Sequence, residues 1–218
     1  RTGRVKLSSE FTATVEALLP CGEEPVYDVT VSDVHAFDAN GLVVHNCGEQ
    51  PLPSYGCCDL GPIILPRFVR HPFGFSGTPE FDFAAFEKAV TTQVRMLDNV
   101  LDVTWWPLPQ QQKEAADKRR IGVGFTGLGN TLTLLNLKYN SEAGRQMAAQ
   151  IAERMRNAAY EASVALAQEK GAFPLFNAQG YLAEDTFASR LPPGLQAKIR
   201  QHGIRNSHLL SIAPTGTV

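Results

Sequence analysis

The hydrophobic periodicity of this chain changes once, near position 46, and that change bounds what it can fold into. Upstream, apolar and polar residues alternate. Phe11-Thr12-Ala13-Thr14-Val15 and Val26-Tyr27-Asp28-Val29-Thr30-Val31 both read as strands. Asn40-Gly41 stands directly before the apolar run Leu42-Val43-Val44, and because both residues tolerate positive φ the pair predicts a tight turn between two strands. Downstream the period lengthens to that of a helix. Phe83, Phe86, Val90, Val94, Leu97 and Leu101 recur three or four apart and predict a helix over 82–103, with Asp82 as N-cap and Trp105-Trp106-Pro107 as its stop. Met147, Ile151, Met155, Ala162 and Leu166 predict a second helix over 142–170, opened by Ser141 and closed by Gly171. Both stripes face a core, and the Met residues need no cofactor to explain them. Residues 51–79 are rich in Pro and Gly and predict an irregular stretch around one short strand, Ile63-Ile64-Leu65. The expectation is a small all-β segment over 1–46 followed by an α/β unit over 47–218, with no internal repeat.

Composition excludes several functions. The chain has 218 residues, 44% of them hydrophobic, which suffices for one small and one medium core. Net charge is −2 and the basic residues form no block, so direct nucleic-acid binding is not indicated. No run approaches the ~18 apolar residues that a membrane span needs, and no apolar leader follows Arg1. Four cysteines are too few to staple a secreted scaffold of this length and fit a cytoplasmic setting. Three of them, Cys47, Cys57 and Cys58, crowd into twelve positions, which points to chemistry rather than packing. The chain opens on Arg1 and stops just beyond Ser211-Ile212-Ala213-Pro214-Thr215-Gly216-Thr217, a strand running into a turn, so it reads as a fragment.

The end of the β-rich segment is chemically loaded. Asn46 can attack its own backbone carbonyl through its side-chain amide, forming a succinimide and breaking the Asn46–Cys47 bond. His45 can polarise that carbonyl or donate a proton, and Cys47 supplies a thiol able to accept an acyl group. The run from Val26-Tyr27-Asp28 through His35 and Phe37 to Asn40-Gly41 and His45-Asn46-Cys47 resembles the C-terminal splicing motifs of inteins, which have the Hint fold. The resemblance implies that Asn46 is the cyclising residue, His45 its helper, His35 and Asp28 an assisting pair, and Cys47 the first residue of the downstream extein. The nucleophile and Thr-x-x-His motif that open an intein are absent from the first 46 residues. A partner carrying the N-terminal intein and extein portion is therefore expected, and the chain alone could at most release its own leading segment. Against this stands a β-rich module in which His-Asn-Cys is accidental.

The residues that follow, Cys47-Gly48-Glu49-Gln50-Pro51-Leu52 and Tyr55-Gly56-Cys57-Cys58-Asp59-Leu60-Gly61, admit three readings. His45 and the three cysteines could ligate zinc, although paired Cys-x-x-Cys spacing is absent. Cys47 and Cys58 could form a plain disulfide. Or Cys47 could carry a thiyl radical that takes a hydrogen atom from ribose carbon 3′, with Glu49 deprotonating the 3′-hydroxyl and Cys58 supplying reducing equivalents as the 2′-oxygen leaves as water.

The segment resembles the Asn-Pro-Cys-Gly-Glu loop and following Cys-x-Leu-Gly-x-Ile strand of ribonucleotide reductases. Two further stretches share the likeness: Arg119-Arg120-Ile121-Gly122-Val123-Gly124-Phe125-Thr126-Gly127-Leu128, and the substrate-phosphate loop at Pro214, Thr215, Gly216 and Thr217. The resemblance implies a fragment of that family's α/β barrel, with catalytic Cys47, Glu49 and Cys58, a ribonucleotide substrate and no protein-bound metal ligand set. Gly-Glu-Gln-Pro-Leu, Tyr-Gly-Cys-Cys and Trp-Trp-Pro-Leu-Pro resemble the adenosylcobalamin-dependent class, so adenosylcobalamin is the implied cofactor. A thioredoxin- or glutaredoxin-like reductant and a homodimer are implied partners. The second redox cysteine would lie upstream of the chain, and Cys57 receives no role. Gly122, Gly124 and Gly127 also match the dinucleotide fingerprint G-x-G-x-x-G, but no strand–acid pattern completes a nucleotide-binding unit, so tight helix–loop packing is the expectation. The competing functions are a splicing-only or inactive gene piece, and a Hint-type processing module joined to an unrelated binding domain.

Overall fold

A computed structural model describes residues 36–39, 42–45 and 52–212. The chain divides into two compact units, Arg1–Gly48 and Glu49–Val218. In the first, β1 (Ala36–Ala39) pairs antiparallel with β2 (Leu42–His45), with Ala39 opposite Leu42 and Ala36 opposite His45. Only Asn40 and Gly41 connect the two strands, as the turn signal predicts. The strands expected at 11–15 and 26–31 lie outside the described residues.

The second unit runs β3 (Asp59–Ile64), β4 (Val69–Arg70), β5 (Glu80–Phe81), α1 (Phe83–Val103), α2 (Pro109–Lys118), β6 (Ile121–Thr126), α3 (Leu128–Leu134), α4 (Glu142–Lys170), α5 (Ala178–Tyr181) and α6 (Pro193–His202). β3 and β6 are parallel and in register from Asp59↔Ile121 to Ile64↔Thr126. Residues 209–211 lie parallel along the other edge of β6, bridged at Val123↔Leu210. The amides of Val123 and Ser211 donate to Leu209 O (2.7 Å) and Val123 O (3.1 Å). β4 and β5 form a separate two-residue antiparallel pair.

Both long helices form where the stripes place them. Asp82 Oδ1 accepts from Ala85 N at 3.0 Å to open α1, and Ser141 Oγ accepts from Gly144 N at 3.1 Å to open α4. Gly171 ends α4 at φ 86°, a left-handed value that favours glycine. Phe86, Val90 and Val94 of α1 and Ile151 of α4 are fully buried, and burying each such side chain contributes about 1.5–3 kcal/mol. Alternation in β3 decides which face this layer covers. Gly61 and Ile63 are buried while Leu60, Pro62 and Ile64 are exposed, and a Cβ on Gly61 would run into Gln93 and Leu97 of α1.

The structure moves two boundaries. The expected strand Ile63-Ile64-Leu65 begins four residues earlier, because the parallel partner β6 supplies a ladder back to Asp59. It stops at Ile64, because Pro66 lacks an amide and a short 3₁₀ turn starts at Leu65. The glycine run is a strand rather than a helix–loop contact. Gly122 and Gly124 lie inside β6, and only Gly127, at φ 79°, stands at the entry to α3.

Candidate active site

Cys57 and Cys58 immediately precede β3, Arg120 precedes β6, and His208 precedes the 209–211 segment. The strands are parallel, so all four side chains gather at one end of the sheet. Both cysteines are partly buried. They differ in direction. The Cys58 sulfur lies 2.9 Å from the point that a Cβ on Gly122 would occupy, together with Leu60 of the exposed face. Cys57 responds instead to Asp59 and to Glu114 of α2. Adjacent residues of extended chain point to opposite sides, so Cys58 belongs to the face turned away from α1 and Cys57 to the helix side. Burial, then the Asp59 charge, pushes the Cys57 thiol up despite the opposing Arg120 guanidinium. A thiol so shifted stays protonated at neutral pH and is a poor nucleophile.

The charged surroundings are built by a network that the sequence analysis did not single out. Asp98 of α1 is fully buried. Its Oδ1 accepts from Arg119 Nε at 2.8 Å and Asn206 Nδ2 at 3.0 Å. Its Oδ2 accepts from Arg205 Nε at 3.3 Å and Lys170 Nζ at 3.5 Å. Arg119 also donates to the Asp98 carbonyl and to Asp102 Oδ1, each at 2.8 Å. Asn206 donates to Arg119 O at 3.1 Å and accepts from Ser163 Oγ at 2.9 Å. Burial pushes the Asp98 carboxyl up, but Arg119, Arg205 and Asn206 outweigh it and hold the carboxyl below the usual carboxylate range. One carboxylate thereby ties α1, the turn carrying Arg119 and Arg120, the end of α4 and the 205–211 segment. The available signal was a charge inside an apolar stripe: Asp98 stands between Leu97 and Leu101, where an unpaired carboxylate would be prohibitively costly.

Arg120 is 7% exposed, and its guanidinium faces Cys58, Glu114 and Cys57. Arg120 also lines a cavity of about 480 Å³ walled by Tyr160, Tyr181, Phe187 and His208. Tyr160 stacks on Phe187 with centroids 6.0 Å apart. Burial pushes the Tyr160 hydroxyl up to about 12, and Tyr181 OH donates to Ser207 O at 3.1 Å. Desolvation, then the Arg120 and Lys118 charges, lower the His208 imidazole to about 4, so it is neutral in the physiological range.

The glycines of β6 make this close approach possible. A Cβ on Gly122 would lie 2.9 Å from both Cys58 Sγ and Ser211 Cβ. A Cβ on Gly124 would collide with the Ser211 carbonyl oxygen. The G-x-G spacing therefore serves strand-to-strand contact, and no phosphate is needed to explain it.

Of the residues singled out from sequence, Cys58 is described in full and His45 only as the last residue of β2. Asp28, His35, Asn46, Cys47, Glu49, Pro214, Thr215, Gly216 and Thr217 lie outside the described residues. Among the described residues no group of His, Cys, Asp and Glu is arranged to hold a metal ion. The cavity beside Arg120 has the size of a site for a drug-sized ligand. Among the described residues no helix is long and apolar enough to cross a membrane.

A parallel α/β core with a cysteine at one strand head, an Arg-Arg turn at the next and close-packed glycines between them has known relatives. The chain belongs to the ribonucleotide reductase barrel domain family, which it matches over residues 21–218. It is 31% identical, along its whole length, to a vitamin B12-dependent ribonucleoside-diphosphate reductase of Mycobacterium tuberculosis, covering 30% of that protein. It is 32% identical over 79% of its length to the protein of the same name from Thermoplasma acidophilum, covering 20% of it. It is 35% identical over 73% of its length to a ribonucleoside-diphosphate reductase subunit alpha of Treponema pallidum, covering 18% of it. The chain thus spans less than a third of the length of these relatives.

Proposed function

We propose that this chain is part of the catalytic subunit of a ribonucleotide reductase that works by thiyl-radical chemistry. The carrying observation is the family match through residue 218, together with Cys58 held at the head of a parallel strand on the face turned from the helices. In this reading Cys47 takes the hydrogen atom from carbon 3′ of the ribose and Glu49 removes the 3′-hydroxyl proton. The 2′-oxygen departs as water, and Cys58 with a second cysteine gives two electrons and two protons, ending as a disulfide. Pro214, Thr215, Gly216 and Thr217 hold the substrate phosphates through backbone amides. The vitamin B12-dependent names of two relatives favour adenosylcobalamin as the radical source. A dithiol reductant of the thioredoxin or glutaredoxin class would recycle Cys58, and a homodimer and a cytoplasmic location accord with this reading. The test is deoxynucleotide formation by the full-length gene product. Cys47→Ser and Cys58→Ser should each abolish it, and Cys57→Ser should retain most of it. Full turnover with Cys58→Ser would overturn the assignment.

We further propose that maturation includes cleavage of the Asn46–Cys47 bond. The run from Asp28 to Cys47 supports this, with Asn46 cyclising, His45, His35 and Asp28 assisting, and Cys47 accepting the acyl group from an upstream partner segment. A competing reading keeps residues 21–46 as reductase sequence, because the family match begins at residue 21. Intact mass spectrometry of the expressed chain decides between them. Splicing chemistry predicts a species beginning at Cys47 that Asn46→Ala eliminates, whereas barrel sequence predicts one uncleaved mass.

A further inference from the structure

Ser211 is 5% exposed, and its hydroxyl has no hydrogen-bond partner among the described residues. A buried hydroxyl without a partner is rare and needs a reason. Its surroundings supply one. The Ser211 Cβ and the Cys58 sulfur each lie 2.9 Å from the single point that a Gly122 side chain would fill, so the two face each other across the missing Cβ. The Ser211 backbone is fixed from both sides, by the hydrogen bond its amide donates to Val123 O at 3.1 Å and by the close seat of its carbonyl on Gly124. Only χ1 is free to turn the hydroxyl.

We propose that Ser211 is the positioning residue for Cys58: its hydroxyl turns across the Gly122 gap and donates a hydrogen bond to the Cys58 sulfur when that sulfur carries negative charge. This rests on the reading of Cys58 as the reducing cysteine and deepens it. Thiol–disulfide chemistry passes through the thiolate, and a hydroxyl donor favours the charged sulfur over the neutral one. The other charged and titratable groups at this end of the sheet are Arg120 from the turn before β6, Glu114 from α2, His208 ahead of the 209–211 segment, and Cys57 and Asp59 beside Cys58 in the chain. Ser211 is the hydroxyl donor among them, and it leads directly into Ile212 and the run ending at Thr217. One short segment would then hold the substrate phosphates and orient the sulfur that reduces the sugar.

The test is the pH dependence of Cys58 alkylation by iodoacetamide in the full-length gene product, read at that residue by peptide mass mapping. Ser211→Ala should raise the midpoint by about one unit, the effect of losing one hydrogen bond to a charged group. Ser211→Thr, which keeps the hydroxyl, should return it toward the parent value. The thermal midpoint of Ser211→Ala should not fall, because the hydroxyl removed has no partner among the described residues. An unchanged alkylation profile in a folded Ser211→Ala protein would overturn the proposal. So would a fall in thermal stability with no change in the profile, which would mark the hydroxyl as structural. These outcomes are separate from failure of the reductase reading, which would appear as full deoxynucleotide formation by Cys58→Ser whatever Ser211 does.

Discussion

Asp98 concentrates the energetics of this unit in one carboxylate. It is fully buried and touches three cations and one amide. A buried ion cluster is weak proof of net stabilisation, yet removing its hub leaves the cations uncompensated. Asp98→Ala should therefore cost about 3–5 kcal/mol in urea unfolding. The pH dependence follows from the direction of the shift. The folded carboxyl lies below its unfolded value, so its contribution is fully present above the unfolded pKa and is lost as pH falls through the folded one. The stability gap between the parent and Asp98→Asn should be widest near neutrality and shrink below about pH 4. A gap that widened in acid would contradict the pairing. Cys57 and Cys58 make the complementary point. Neighbours in sequence, they differ in chemistry because the extended backbone turns one toward α2 and the other toward the open face. Iodoacetamide at pH 7 should accordingly label Cys58 ahead of Cys57.

At the level of elements, the parallel alignment of β6 with its two neighbours depends on glycine. Gly124 has no room for a methyl group, because the Ser211 carbonyl occupies its place. Gly124→Ala should destabilise the unit by about 1–3 kcal/mol through forced backbone separation, measured by chemical denaturation. A stability loss under about 0.5 kcal/mol, ordinary for surface sites, would show that the strands can part freely. The helices illustrate what periodicity captures. α1 and α4 are long, capped and striped, so their ends fall within a residue of the boundaries that capping and apolar spacing indicate. Residues 109–118 carry no such stripe. Pro109-Gln110-Gln111-Gln112-Lys113-Glu114-Ala115-Ala116-Asp117-Lys118 buries only Ala115, and α2 is instead supported by Pro at its start and by i,i+4 ion pairs, Lys113–Asp117 and Glu114–Lys118 at 2.5 and 2.6 Å. Good intrinsic formers without an apolar face leave little for a periodicity argument to detect.

At the scale of the whole molecule, the second unit has one face of β3 sealed by α1 and the other open. Leu60 is 39% and Ile64 57% exposed on that open face, and such apolar rows invite association. The isolated chain should self-associate in size-exclusion chromatography with light scattering, and Ile64→Lys should shift it toward monomer. An unchanged profile would place the association elsewhere. By itself the sequence determined what local rules govern: the two long helices and their caps, the Asn40-Gly41 hairpin, and the cysteine-rich and glycine-rich runs that carry the family likeness. Those features depend on residues a few positions apart, whose side-chain chemistry and spacing are written in order. Only the tertiary structure decided that Asp98 is a hub for Arg119, Lys170, Arg205 and Asn206, that the glycines of β6 seat Ser211 rather than a phosphate, and that Cys58 rather than Cys57 shares a face with them. Each of those outcomes joins groups tens of residues apart, and such pairings follow from how sheet and helices stack in space rather than from any periodicity along the chain.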